Sequence, residues 1–171
     1  MAVAVSAPAI DLAQQSRLMR RATYASVTVA VILIVAKTAA WAMTDSVSML
    51  SSLVDSLLDA AASLINLLAV HHALTPADRE HRFGHGKAEP IAGLAQAAFI
   101  TGSAIFLLLE AAHRLHAPRP VVQPEIGIGV MVVSIVFTLG LVLYQRHVVS
   151  TTGSIAISAD SLHYRGDLLV N

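Results

Sequence analysis

Four stretches of this chain, Ala22–Met43, Val47–Val70, Pro90–Ala112 and Ile126–Leu143, are apolar for long enough to cross a bilayer. A hydrocarbon core of ~30 Å takes about 20 residues of α-helix, and lipid offers the backbone no hydrogen-bond partner outside the helix. The chain is 56% hydrophobic and 13% charged, against ~25% charge in an average soluble domain. Its charges gather in the short segments between the runs. The expected fold is all-α, a polytopic transmembrane helix bundle.

A fifth helix is expected from Ser154 onward. Hydropathy alone does not make it a span, because it carries Asp160, His163, Arg165 and Asp167 before the sequence stops at Asn171. Its polar groups nevertheless repeat with helical spacing. The bundle is therefore read as four full spans plus a truncated fifth. Residues 1–21 form an N-terminal segment and residues 22–171 the membrane domain. The run after Arg21 is longer than the ~7–15 residues of a cleavable signal, so it is retained.

Basic residues set the orientation. With the N-terminus cytoplasmic, the inner flanks hold Arg17, Arg20, Arg21, Arg79, Arg82, Lys87 and Arg146, and the outer loops hold Arg114 and Arg119. The loop Ala73–Lys87 is then cytoplasmic too, and Lys37 lies near the outer end of the first span, where a lysine can snorkel. Net charge is zero and there is no long basic block, which argues against nucleic-acid binding. There is no cysteine, so any metal site is built from His, Asp and Glu.

Carboxylates at membrane depth are costly and mark partners, cavities or ion paths. Asp55 and Asp59 stand four residues apart in the second run, and His163 and Asp167 repeat that spacing in the fifth helix. Positions i and i+4 share a helix face. At ~1.5 Å per residue, Asp55 and Asp59 lie roughly 12 and 18 Å below one surface, and His163 and Asp167 roughly 13 and 19 Å above the other. In antiparallel helices this sets Asp59 level with His163 and Asp55 level with Asp167, all near the midplane. One imidazole and three carboxylates suit Zn²⁺, and would take Fe²⁺ or Cd²⁺; Ca²⁺ wants more oxygens. Such ligands bind metal only when deprotonated, which makes metal and protons competitors.

At these residues the chain resembles the cation diffusion facilitator family, in its bacterial ferrous-iron and zinc efflux branch. The matching stretches are SVSMLSSLVDSLLDAAASL (Ser46–Leu64), PADREHRFGHGKAEPIAGLAQ (Pro76–Gln96) and ADSLHYRGD (Ala159–Asp167). The resemblance implies that Asp55, Asp59, His163 and Asp167 are transport-site ligands for a cation exchanged against external protons. It further implies a homodimer in the bacterial inner membrane, with the metal as transported substrate and no cofactor.

Asp78, His81 and His85 form a second constellation, which read alone is either a metal signal or a solvated polar loop. The resemblance implies a second zinc site there and dimer contacts at Lys87. His71 and His72 are expected to be interfacial, and His113 and His116 are not expected to bind metal. Two departures stand out. Asp45 occupies the first turn where the family usually has glycine. The family's sixth helix and cytoplasmic ferredoxin-like domain are not in this sequence, so the chain is expected to be the N-terminal part of a longer protein. An enzyme is not expected, since there is no HExxH pattern and no spare acid or nucleophile beside the cluster. The alternative to a transporter is a non-transporting membrane subunit or sensor that binds metal.

Overall fold

A computed structural model describes residues 11–116 and 123–170. Residues 1–10 of the N-terminal segment, Arg119 and Asn171 lie outside the described residues. The apolar runs become helices, as a chain in lipid requires: α1 (Leu12–Thr44), α2 (Val47–Ala73), α3 (Ala88–His116), α4 (Pro124–Thr152) and α5 (Ile155–Val170). No strand occurs among the described residues. The first four are long and apolar enough to span a membrane, α5 is not, and the chain is a multi-pass membrane protein.

Helix ends follow local chemistry. Asp11 caps α1 by accepting the Ala13 N–H at 3.4 Å. Asp45 ends α1 in the left-handed region at φ 48°, a conformation glycine adopts freely and aspartate tolerates better than most residues. Gly153, at φ 67°, ends α4 by donating its N–H to the Val149 carbonyl at 2.8 Å. Helix α4 runs past the expected Leu143 to Thr152, carrying Gln145 into the bundle.

The helices form a ring. Going round it, α1 packs on α2, α2 on α3, α3 on α5, α5 on α4 and α4 on α1, while α2 and α5 meet more sparingly across the middle. Buried positions recur every three or four residues: Ser26, Ala30, Leu33 and Lys37 on α1, and Ser56, Asp59, Ser63, Asn66 and Val70 on α2. The interior is small and polar. Large apolar side chains such as Val35, Leu57, Leu68 and Val136 point outward, as expected where lipid is the solvent and small residues allow close helix approach. At Gly93 of α3, a Cβ would come 3.2 Å from Ile155 Cγ2, so that glycine sets the α3–α5 spacing.

Candidate metal centre

Asp59 projects from α2 and His163 and Asp167 from α5 into the middle of the ring. His163 Nε2 lies 3.0 Å from Asp59 Oδ1 and 3.8 Å from Asp167 Oδ2. One ligand atom from each residue can be chosen so that all lie within 4.8 Å of one another. Donors held ~2.0–2.1 Å from a tetrahedral Zn²⁺ stand roughly 3.3 Å apart, so these gaps bracket what such an ion needs. The expected level match between Asp59 and His163 is observed. Asp55 stands apart from this cluster: Asp167, its expected counterpart, is turned toward His163. Asp55 instead lines a cavity of about 870 Å³ with Lys37, Ser51, Ser52 and Ser134. That cavity lies toward the α1–α2 turn and the start of α4, being lined also by Ser48, Met49 and Pro124. A second cavity, about 430 Å³, reaches Asp59 and His163 between α2, α3 and α5.

The rotation of α5 that aims His163 is fixed by its neighbours. Tyr164 is 1% exposed; its hydroxyl is 2.7 Å from Ser63 Oγ on α2 and donates to the Ser26 carbonyl on α1 at 3.3 Å. One turn earlier, Asp160 is wholly buried and accepts from Ser26 Oγ at 2.7 Å, Gln96 Nε2 at 2.6 Å and Gln145 Nε2 at 2.7 Å. A single carboxylate therefore joins α1, α3, α4 and α5. Glu89 of α3 accepts from the Ser154 hydroxyl and from the Ala156 N–H at 3.4 Å, capping the start of α5. Sequence reasoning missed the Asp160 network. Its signal is the presence of Ser26, Gln96 and Gln145 among apolar residues, each too ordinary alone to single out.

Lys37 corrects an expectation. It does not snorkel: it is 5% exposed, and its Nζ donates to Ser56 Oγ at 2.7 Å and to the Ser52 carbonyl at 3.2 Å. Lys37, on α1, is thus held by α2, the helix that carries Asp55 and Asp59.

The loop after α2 assembles the second constellation. His81 Nδ1 is 3.2 Å from Asp78 Oδ1, and His85 Nε2 is 3.5 Å from Asp78 Oδ2. Ligand atoms of the trio also fall within 4.8 Å of one another. Asp78 Oδ1 accepts the backbone N–H groups of His81 at 2.6 Å and Glu80 at 3.0 Å. The His81 backbone bond, followed by its side chain, holds the exposed carboxyl below the usual aspartate range, so it is charged and ready for a cation. Gly84, at φ 77°, makes the turn that returns His85 to the cluster. His116, by contrast, turns its Nδ1 to the Ala112 carbonyl of its own helix at 3.1 Å.

Residues 23–171 match the model of the cation efflux transmembrane domain. The chain is 52% identical over 158 residues to the cation-efflux pump FieF of Serratia proteamaculans, covering 92% of this chain and 53% of that protein. It matches the protein of the same name from Yersinia pestis to the same extent. For that of Salmonella arizonae the identity is 52% over 155 residues, 91% of this chain and 52% of the relative. The chain thus spans about half the length of the curated relatives it matches.

Proposed function

This chain belongs to the cation efflux family, and we propose that it exports a divalent metal cation, Zn²⁺ first and Fe²⁺ or Cd²⁺ next, in exchange for protons. The observation that carries this is the meeting of Asp59, His163 and Asp167 across the ring, with His163 Nε2 3.0 Å from Asp59 Oδ1 and both side chains buried. Asp55 completes the set from the larger cavity, one turn away.

Burial makes these charges costly unless a cation or protons neutralise them. A metal ion entering the cluster displaces protons, and protons arriving from the other side displace the metal. Imidazole, with an ordinary pKa of ~6.5, is suited to that competition near neutral pH. Asp55 and Lys37 line the cavity toward the α1–α2 turn. The asymmetry of basic residues, with Arg17, Arg20, Arg21, Arg79, Arg82 and Lys87 at the opposite end of the bundle, supports a cytoplasmic N-terminus and assigns that cavity to the outer side. We place the protein in the bacterial inner membrane as a homodimer, with the loop trio Asp78, His81 and His85 as a second, cytoplasmic zinc site. The family resemblance supports both assignments. The trio fits zinc in its donor chemistry, imidazole nitrogen and carboxylate oxygen, and in leaving buried His85 Nδ1 without a protein partner. A bound ion there would supply a fixed charge that holds the loop to the helix ends.

The test is Zn²⁺ uptake into proteoliposomes carrying this chain, after a pH jump, with Asp55→Ala alongside. Flux that follows the pH gradient and vanishes in the variant supports exchange at the midplane. Zinc binding without flux in either protein favours a metal-binding subunit or sensor.

A further inference from the structure

The loop trio offers three donors, one short of a closed tetrahedral zinc site. His85 is 4% exposed at its side chain, and its Nδ1 meets no hydrogen-bond partner. An imidazole nitrogen is seldom left so. Against this ring lie two others. His81 has its centroid 4.4 Å away, and His72, from the last turn of α2, also has its centroid 4.4 Å away at an interplanar angle of 68°. Three imidazoles and one carboxylate are thereby gathered at one end of the bundle. His72 is exposed, so its ring is free to turn, and its backbone is fixed by the helix.

We propose that His72 is the fourth ligand of the loop site, closing it as an Asp–His₃ centre. The inference rests on the zinc assignment of Asp78, His81 and His85 made above. Its consequence concerns the kind of site. Three donors and an open position suit a station where ions arrive and leave; four protein donors suit a structural centre. His72 belongs to α2, and the His85 carbonyl accepts the Ala88 N–H at 2.9 Å where α3 begins. A closed centre would therefore clamp the end of α2 to the start of α3.

The experiment is Zn²⁺ titration with zinc-edge X-ray absorption, on protein carrying Asp59→Ala to remove the midplane ion. His72→Ala, His72→Phe and His85→Ala are compared in that background. His72→Phe keeps an aromatic ring against His85 and separates ligation from packing. The expected result is three imidazoles per loop ion in the parent and two in both His72 variants, with affinity down at least ~10-fold. An unchanged imidazole number in either His72 variant would overturn the inference. Retention of the loop ion in His85→Ala would instead remove the loop-site assignment on which it rests.

Discussion

His163 Nε2 and Asp59 Oδ1, 104 positions apart in sequence, lie 3.0 Å from each other across the ring of helices. Helices α2 and α5 touch sparingly elsewhere, so this contact sits where a cation bound between them would couple their movements. Asp59→Ala is expected to abolish metal binding at the midplane while leaving expression intact. Stoichiometric binding retained there, measured by zinc titration, would remove Asp59 from the ligand set.

His163 supplies the only nitrogen of the proposed midplane set. Exchanging it for oxygen should favour harder cations. His163→Asp is expected to shift the Zn²⁺/Mn²⁺ affinity ratio toward Mn²⁺ by on the order of tenfold, about 1.4 kcal/mol. A ratio equal to that of the parent would show that the imidazole does not set selectivity.

Lys37 is a buried lysine beside the proposed cation site. Its ammonium is held by Ser56 Oγ and the Ser52 carbonyl, and it shares a cavity with Asp55. Like charges repel strongly where water is scarce. Lys37→Met is expected to tighten Zn²⁺ binding by on the order of tenfold. Equal or weaker binding in a variant that unfolds at the parent's temperature would show that the charge is not felt at the site.

Asp160 tests what holds α5 in place. Removing its carboxylate strands the Gln96 Nε2 donor and breaks one bond each from Ser26 and Gln145, which keep the Ala22 carbonyl and Ser26 Oγ as partners. A stranded buried donor costs about 1–3 kcal/mol. Asp160→Ala is expected to lower stability by ~3 kcal/mol or more, read by thermal unfolding in detergent. Stability within ~0.5 kcal/mol of the parent would mean that the network is not a staple.

The loop carboxylate has a defined pH dependence. The His81 backbone hydrogen bond, followed by the His81 side chain, holds the Asp78 carboxyl below its ordinary pKa of 3.8. A lowered folded-state pKa means that the turn's order is fully present above that ordinary value. It is lost only as pH falls through the lower, folded value. Hydrogen-exchange protection of the Glu80 amide should therefore hold steady from neutral pH down to the ordinary aspartate range and fall below it. Loss of that protection at neutral pH would contradict this assignment.

Much of this arrangement was legible in the amino-acid order. Length and apolarity locate the spans because lipid leaves the backbone no alternative to helix. The i,i+4 pairs mark both faces of the midplane cluster because helical spacing is rigid. The end of α4 was not legible: Gln145, Arg146 and His147 break the hydropathy without breaking the helix. Lys37 looked like a snorkelling side chain because its partners Ser52 and Ser56 lie on another helix. The Asp160 network is a relation among four helices, and Asp55 stands off from the cluster, lining the larger cavity with Lys37. Packing decides such relations, and spacing along one helix does not contain them. His72 is a similar case, since only the fold of the loop brings His85 back against it.

In the proposed exchange, metal and protons compete for one site between α2 and α5. The most direct measurement is Zn²⁺ titration calorimetry at about pH 5.5 and about pH 7.5, either side of the ordinary imidazole pKa of ~6.5, in buffers of different ionisation enthalpy. It is run on the parent and on Asp59→Ala. The predicted result is a midplane ion bound at least ~10-fold more weakly at the lower pH, with protons released on binding, and absent from the variant. Affinity independent of pH, or the same ion count in Asp59→Ala, would contradict the account.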